Sequence, residues 1–489
     1  MYPLTSTAEK LSDSLALQSM SEQLTFSTLN HKVKCVANAL QELLDSTGGN
    51  RIAVFAANSK ECIFAAHAVW ASGNTLIPLP LNWRDEQLQR EIDAARLDLL
   101  LVDAANNHRV NHPNKVPVTQ LVEENSAHNT LLDFSPAKLA LLLYTSGSSG
   151  EPKRVALSWN ALVSHAQISV EHLQLLAEDR WLLTLPLFHI GGISTLFKQM
   201  SCGCSIVLPE LEQLRDATAI TSFIEQAGVT RAAMVPTSLE RLYQAMPNYR
   251  FPDKFRSMLA GGGMATEELL LRDHRILATY GMSETGSQIT TVPLHATTEI
   301  RSTAGIPLPG VRIEIRDESH TPLPINEVGD VWVASPALFD GYETVTGIVS
   351  PMQNGWFQTG DFGYLNPDDA LTIVSRRSDR IVSGGENIAP HEIELCLLKH
   401  PEVTSVVVLG VPDQEWGELV VAVVVPKHSD RVDSVMLVDY LGRQLARYKL
   451  PKRWLLLPEL PLLPTGKPDR QAIRALLSLN VNENGTLEQ

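Results

Sequence analysis

The sequence has little cysteine, a deficit of positive charge and no long apolar run. Its five cysteines are sparse and odd in number among 489 residues, which is typical of a reducing compartment and not of a disulfide scaffold. The formal net charge is −15, from 40 Lys and Arg against 55 Asp and Glu. Because nucleic-acid binding relies on clustered basic residues that neutralise phosphates, this balance argues against a nucleic-acid partner. A polyanionic ligand would therefore need a local positive site.

Membrane and targeting signals are also missing. No apolar run reaches the ~20 residues that a bilayer span needs, and the first stretch, MYPLTSTAEKLSDSLALQSM, lacks the basic start and apolar core of a secretory signal. We therefore expect a cytoplasmic protein without membrane insertion. The sequence is compatible with a homo-oligomer. Cys202 and Cys204 form an isolated CxC without a second ligand pair nearby. This spacing favours buried thiols over a metal site.

The order of apolar segments predicts the fold class. RIAVFAA, NTLIPLP and DLLLVD indicate buried strands that alternate with helices, and the alternation returns over 155–260. Such alternation predicts α/β units with a largely parallel sheet. From about residue 303, prolines together with RIEIRD and DVWVAS predict antiparallel hairpins. After about residue 378, the pattern of apolar segments predicts an α+β unit.

This reading predicts three parts: a large N-terminal α/β region with a β-barrel-like subdomain over 1–375, a hinge at 376–380, and a small mobile α+β domain over 381–489. The charged SRRSDR segment followed by Gly384 and Gly385 has the composition of an exposed hinge.

The stretch LLLYTSGSSGEPKRVALS places a loop of small residues between two apolar segments. It is not a Walker A loop, since the lysine follows G-x-x-G-x-x rather than G-x-x-x-x-G. The loop could still bind an anion as a Walker A loop does, because consecutive small residues let backbone N–H groups form an anion nest. Hydroxyl groups and Lys153 add donors and charge. A Gly/Ser loop alone is usually a surface turn, but this string is more specific than its composition.

The string resembles the phosphate loop of the adenylate-forming enzymes, which include acyl- and aryl-CoA ligases, luciferases and peptide-synthetase adenylation domains. It departs from them at Arg154, where the family usually has Gly. Further family-like motifs follow in the expected order: LAGGG (259–263), TYGMSETGSQ (279–288), GWFQTGDFG (355–363), SRRSDRIVSGGENIAPHEIE (375–394) and LPTGKPDR (463–470). The resemblance covers essentially the whole chain. It implies ATP, Mg²⁺ and coenzyme A as ligands, with a small carboxylic acid as substrate.

The resemblance implies roles for the residues in these motifs. Those expected at the nucleotide are Thr145, Ser146, Gly147, Ser148, Ser149, Gly150, Lys153, Gly261, Gly262, Gly263, Thr279, Tyr280, Gly281 and Met282. Ser283 would contact the α-phosphate, and Glu284 would hold Mg²⁺, a hard cation that prefers carboxylate and phosphate oxygens. Asp361 would bind both ribose hydroxyls, and Arg376 would contact ribose or phosphate.

The family resemblance also implies a two-step reaction. The acid attacks the α-phosphorus of ATP, where two anions must be brought together, so positioning and electrostatics dominate the barrier. Lys467 would be the catalytic lysine of this step. The C-terminal domain would then turn about Ser378, withdraw Lys467 and bring Gly384 and Gly385 to the pantetheine of coenzyme A.

The acyl pocket is suggested by PLFHIGG, by the polar Ser287 and Gln288 after the adenine motif, and by the short chain. These features resemble the o-succinylbenzoate–CoA ligase branch of the family, which acts in menaquinone biosynthesis. His189 would lie near the pantetheine and acyl site, with a packed core histidine as the alternative. VPTSLERL (235–242) would line the pocket or pack in the core.

Three other functions remain open from the sequence. They are another aryl- or medium-chain acyl-CoA ligase, an adenylation enzyme that loads a carrier protein, and a regulator that only binds nucleotide. Retention of Glu284, Asp361, Arg376 and Lys467 argues against the regulator.

Overall fold

The structure is a computed structural model that describes residues 1–44, 49–123, 139–146, 152–263, 265–376, 381–384, 386–428, 432–463 and 468–479. The chain forms two compact units. The first comprises Met1–Gly262, Leu269–Arg312 and Ala334–Phe357, and the second comprises Gly263–Glu268, Ile313–Val333 and the chain from residue 358 onward. Within the described ranges, no helix is long and apolar enough to cross a membrane.

An eight-stranded sheet carries the Gly/Ser loop. Its strands are β3 (Arg51–Phe55), β4 (Thr75–Pro78), β5 (Leu99–Val102), β6 (Lys115–Pro117), β7 (Leu139–Ser146), β8 (Pro152–Ser158), β18 (Gly341–Thr344) and β19 (Gly347–Val349). They lie in the order β19-β18-β8-β7-β4-β3-β5-β6. The pairs from β7 to β6 are parallel, and those among β7, β8, β18 and β19 are antiparallel. Strands β4 and β5 bury every residue, as parallel strands covered on both faces do.

A nine-stranded sheet completes the first unit. Its strands are β1 (Leu15–Gln18), β2 (Gln23–Thr25), β9 (Arg180–Leu182), β10 (Ser205–Val207), β11 (Arg231–Met234), β12 (Ser257–Gly261), β13 (Ile276–Met282), β14 (Ser287–Thr291) and β15 (Ile306–Pro307). Their order is β15-β14-β13-β12-β11-β9-β10-β1-β2. The inner pairs are parallel, whereas β13 pairs antiparallel with β14.

Helices up to residue 301 connect and cover these strands. They are α1 (Pro3–Lys10), α2 (Phe26–Leu44), α3 (Lys60–Ala71), α4 (Asp85–Ala95), α5 (Val118–Glu123), α6 (Trp159–Leu173), α7 (Ile190–Cys202), α8 (Leu211–Arg215), α9 (Ala217–Gln226), α10 (Pro236–Ala245), α11 (Glu267–Arg272) and α12 (Thr298–Arg301). Ser158 caps α6 by accepting a hydrogen bond from the backbone N–H of Ala161. Trp70 on α3 and Trp159 on α6 both contact Phe197 on α7, with ring centroids 4.8 and 5.0 Å apart. This aromatic cluster joins helices that follow strands of the two different sheets.

The second unit contains the remaining elements. A four-stranded sheet has the order β16 (Arg312–Arg316), β17 (Gly329–Ala334), β20 (Phe357–Leu365) and β21 (Leu371–Arg376), where the sequence predicts a barrel-like subdomain. The α+β part consists of β22 (Ile381–Ser383), β23 (Glu386–Ile388), α13 (Pro390–Leu398), β24 (Val403–Asp413), β25 (Gly417–Pro426), α14 (Ser434–Gly442), β26 (Arg453–Leu456) and α15 (Arg470–Leu479). Alternate valines of β24 and β25 pack under α13 and α14, which gives this part its own core.

The mixed α/β class and the largely parallel sheets are confirmed. In the CxC pair, Cys204 is buried and Cys202 is half-buried. The described residues contain no cluster of three metal-ligating side chains.

Candidate active site

The β7–β8 hairpin places the ends of the Gly/Ser loop. Thr145 lies opposite Lys153, and Ser146 lies opposite Pro152, in the antiparallel register. The residues that flank the loop therefore lie on two paired strands, as the sequence predicts. Lys153 is exposed, and its Nζ atom lies 5.0 Å from the centroid of the Tyr342 ring on β18. Gly147, Ser148, Ser149 and Gly150 lie outside the described residues.

Glu284 is buried beside this hairpin. It follows β13 in a short 3₁₀ turn over Ser283–Thr285. Its side chain is buried, whereas an isolated surface glutamate would be solvated. The Tyr342 hydroxyl donates a hydrogen bond to Glu284 Oε1 over 2.9 Å. The backbone N–H of Phe339 donates to the Glu284 carbonyl oxygen over 2.9 Å.

Glu284 fits the cation that the family resemblance implies. Because the described residues hold no cluster of three metal ligands, a cation here would take its other oxygens from phosphates and water. That is the arrangement Mg²⁺ favours at nucleotide sites. Lys153 lies over the ring of the tyrosine that binds Glu284. The Tyr342 side chain therefore contacts both charged groups of the candidate site.

The glycines of two motifs are required by backbone packing. A Cβ on Gly281 would lie 1.9 Å from the Ser287 carbonyl oxygen on β14, and a Cβ on Gly261 would lie 2.4 Å from Thr279 Cγ2. No side chain fits at such distances. The glycines let β12, β13 and β14 lie close, which places Thr279, Tyr280 and Met282 on the strand that leads into Glu284. Gly262 directly follows β12 and has φ +76°, and Gly263 comes next.

Ser287 and Gln288 begin β14. Ser287 has φ +134°, a strained value for a residue with a side chain. Gln288 is buried, and both ends of its amide are engaged: Oε1 accepts from the Ser169 hydroxyl over 3.3 Å, and Nε2 donates to Thr291 Oγ1 over 2.9 Å. Gln288 therefore braces β14 against α6, and its direct contact with substrate stays a prediction.

His189 is half-buried at the residue preceding α7, and its ring lies 4.6 Å from that of Phe188. Its role at the acyl site stays a prediction. In the VPTSLERL segment, Pro236, Leu239 and Leu242 are buried, so this face of α10 packs in the core.

Asp361 and Arg376, both expected near ribose, are brought together in the second unit. They occupy directly opposed positions on β20 and β21, and Asp361 is buried. In the same unit, the Gly384 N–H donates to the Trp416 carbonyl over 2.8 Å at the β22–β23 turn. Gly385, Ser378 and Lys467 lie outside the described residues.

The comparisons with known proteins agree with this geometry. The family model for AMP-binding enzymes matches residues 4–343, and the model for the AMP-binding enzyme C-terminal domain matches residues 392–467. The chain belongs to the AMP-binding enzyme family. Similar proteins include 2-succinylbenzoate–CoA ligases of Bacillus cytotoxicus, 33% identical over 95% of this chain and 96% of that protein, and of Bacillus licheniformis, 34% identical over 93% and 95%.

Solved structures give the same result. The chain resembles o-succinylbenzoate CoA synthetase of Bacillus subtilis in complex with its acyl-adenylate intermediate, with a TM-score of 0.86 and 30% identity over 97% of this chain and 98% of that chain. The same protein in complex with ATP and magnesium ion also gives a TM-score of 0.86 at 30% identity, over 97% and 99%. The fold of an AMP-binding enzyme is thus present along nearly the whole chain.

Lys198 is a feature of this AMP-binding enzyme that sequence reasoning missed. It lies on α7 and is 2% exposed. Its Nζ atom donates to Ser194 Oγ over 3.0 Å and lies 5.1 Å from the Trp181 ring centroid. Among the described residues, no carboxylate lies within ion-pair distance of Lys198. Burial lowers the pKa of Lys198 to about 8.

The surroundings of Lys198 lead back to β14. Its charge acts on His165 of α6, whose pKa is lowered well below the usual range by burial first and by Lys198 second. His165 is itself hydrogen-bonded to the backbone of Gln288. The buried ammonium therefore lies near the strand that carries Ser287 and Gln288. A lysine inside the apolar stretch ISTLFKQM is the sequence signal that could have marked it.

Arg154 and Tyr342 were also not assigned from the sequence. Arg154 is half-buried and contacts its neighbours through its guanidinium. Its guanidinium lies 3.2 Å from Glu343 Oε2 and donates to the Ala94 carbonyl over 3.1 Å. Arg51 contacts the same Glu343 carboxylate through both terminal nitrogens, over 2.6 and 3.0 Å. The departure from the family glycine is thus accounted for by an ion-pair cluster.

Proposed function

We propose that this AMP-binding enzyme is an ATP-dependent ligase that joins 2-succinylbenzoate to coenzyme A, as its similar relatives are named to do. The acid first forms an acyl-adenylate with release of pyrophosphate. The thiol of coenzyme A then attacks the acyl carbonyl, and AMP leaves. The product would enter menaquinone biosynthesis, and the water-soluble substrates suit a cytoplasmic enzyme.

In the first step, the described residues supply positioning and charge. Lys153 and the neighbouring hydroxyls would bind the β- and γ-phosphates, and Ser283 would donate to the α-phosphate. Glu284 would hold Mg²⁺, which offsets the repulsion between carboxylate and triphosphate when it is bound. Two unit charges 4 Å apart repel by about 4 kcal/mol at an effective dielectric near 20, so these charges carry much of the rate enhancement.

The remaining roles complete the reaction. Asp361 and Arg376, opposed on β20 and β21, would bind the ribose, with the carboxylate accepting a hydrogen bond from each of two hydroxyls. Lys467 would act on the α-phosphate and the acyl carboxylate during adenylation. Turning about Ser378 would replace it with the Gly384–Gly385 strip for thiolysis.

The observation that carries the choice of acid is the buried ammonium of Lys198. A buried charge without a partner is costly, so such a group is retained where a ligand supplies the opposite charge. 2-Succinylbenzoate has a second carboxylate that is not consumed in the reaction. Lys198 would bind this carboxylate, with Ser194 as a neighbouring hydroxyl.

A panel of acids tests the function. With ATP, Mg²⁺ and coenzyme A, we expect rapid pyrophosphate release with 2-succinylbenzoate and release at least about 100-fold slower with benzoate, 4-coumarate or octanoate, since these leave the lysine without its carboxylate. Release with coumarate or octanoate alone would contradict the acid but keep the ligase chemistry. Transfer to a carrier-protein thiol but not to coenzyme A would favour the carrier-loading alternative.

The pH dependence of acid binding gives a second test. Because burial lowers the pKa of Lys198 to about 8, the ammonium is present below that pH and lost above it. The KM for 2-succinylbenzoate should be flat from pH 6.5 to 8 and then rise by up to about tenfold per pH unit, while the KM for ATP changes little. In Lys198→Arg the guanidinium does not titrate, so the rise should disappear. An identical rise in that variant would assign the titration to another group.

A further inference from the structure

We propose that Tyr342 is a positioning residue for the Mg²⁺-binding carboxylate of Glu284, and that an ion-pair clamp on the next residue, Glu343, fixes it in place. The inference rests on the proposed function, because that function gives Glu284 its cation. The sequence motifs quoted above for the nucleotide site do not contain Tyr342. It is supplied by β18, far along the chain.

The first observation is the contact between Tyr342 and Glu284. The phenol donates to Oε1 over 2.9 Å, and both side chains are at least half-buried. A tyrosine hydroxyl is a hydrogen-bond donor, and a carboxylate oxygen accepts from it. With Oε1 engaged in this way, the carboxylate has a fixed orientation and Oε2 is left for the cation.

The second observation is that Tyr342 also contacts the phosphate-loop side of the site. Lys153 lies over its ring at 5.0 Å, a distance at which a cation is attracted to the aromatic face. Phe339 packs edge-on against the same ring, with centroids 4.9 Å apart. The ring is thus held by neighbours on two sides, while its hydroxyl is held by Glu284.

The third observation is the clamp on the opposite face of the strand. Successive side chains of a strand point to opposite faces, so Glu343 lies away from the site when Tyr342 lies toward it. Glu343 is bound by Arg51 of β3 and Arg154 of β8. Because β18 pairs with β8 in the register Tyr342 to Val155 and Glu343 to Arg154, the clamp prevents the one-residue slip that would turn Tyr342 outward.

Removing the Tyr342 hydroxyl should affect binding of the cation and not binding of the acid. A hydrogen bond to a charged group contributes more than a neutral one. Losing the phenol would let Glu284 rotate and would weaken cation binding at the nucleotide. The acid pocket near Lys198 would be unaffected.

The test is Tyr342→Phe in the full-length enzyme, which keeps the ring under Lys153 and removes only the hydroxyl. We expect the Mg²⁺ concentration for half-maximal pyrophosphate release to rise about tenfold at fixed ATP. The KM for the acid should stay within twofold. Binding of Mn²⁺–ATP, followed by the Mn²⁺ EPR signal without any acid, should weaken by a similar factor.

A matched control is Tyr249→Phe. Its hydroxyl is buried and has no hydrogen-bond partner among the described residues, so the same chemical change should leave metal dependence unchanged. Glu343→Gln provides a second variant that keeps the phenol and loosens the clamp. It should shift the half-maximal Mg²⁺ concentration in the same direction by about threefold.

The outcomes separate the proposals. A lower maximal rate in Tyr342→Phe with unchanged Mg²⁺ and Mn²⁺ dependence would overturn the positioning role, as would an equal shift in Tyr249→Phe. If Tyr342→Phe does not fold, an unshifted Glu343→Gln overturns the clamp. If the wild-type enzyme releases no pyrophosphate with any acid, the proposed function fails, while Mn²⁺–ATP binding still decides the role of Tyr342.

Discussion

Replacing Glu284 with Gln should lower the rate of acyl-adenylate formation by about 1000-fold, the upper range for loss of one electrostatic group in an active site. The substitution keeps the shape of the side chain and its contact with Tyr342, but it removes the negative charge. Without that charge the cation binds weakly, and the repulsion between carboxylate and triphosphate is no longer offset. Single-turnover pyrophosphate release at saturating ATP measures the step directly.

Two measurements sharpen this prediction. Glu299→Gln removes an exposed carboxylate from the same unit and should leave the rate within twofold. Thiolysis of supplied acyl-adenylate by coenzyme A needs no triphosphate, so Glu284→Gln should impair it far less than adenylation. Equal loss in both half-reactions would place Glu284 in a general structural role instead of at the cation.

Replacing Lys198 with Met should raise the KM for 2-succinylbenzoate by about 100-fold, as expected when one partner of a buried charge pair is removed. Methionine has similar length and removes the charge without leaving a large cavity. The free enzyme should be at least as stable as the wild type, because a buried ammonium without a counter-charge is itself unfavourable. Steady-state KM values and a thermal melt of the ligand-free enzyme measure both effects.

The specificity of this effect can be tested with a modified acid. In an analogue whose succinyl carboxylate is replaced by a carboxamide, the ligand no longer carries the charge that Lys198 would bind. The wild type should prefer the natural acid over this analogue by about 100-fold, and Lys198→Met should lose most of that preference. If both enzymes discriminate equally, the second carboxylate is bound elsewhere.

The sequence was sufficient to predict features that arise from local patterns. The α/β class followed from alternating apolar segments, and RIAVFAA, NTLIPLP and DLLLVD contain the strands β3, β4 and β5. The strands on either side of the Gly/Ser loop also follow from the two apolar segments of that motif. These features depend on neighbours a few residues away.

Features that depend on distant pairing could not be predicted. Tyr342 reaches Glu284, and Arg154 reaches Glu343, only because β18 pairs with β8. No spacing within the sequence encodes that register. Lys198 was overlooked for a different reason, since a single lysine in an amphipathic pattern usually lies on the solvated face of a helix, and α7 is covered on both sides.

The pairing of β8 with β18 also has a consequence for biosynthesis. The ribosome must add residues 159–340 before β18 can join its neighbour, which takes about 10–40 s at roughly 5–20 residues per second. During this interval β8 is an open edge in a growing sheet, and such edges attract other chains. Lys153 and Arg154 place two positive charges on that edge. The two residues proposed for the nucleotide site and its clamp would thus also oppose edge pairing between nascent chains.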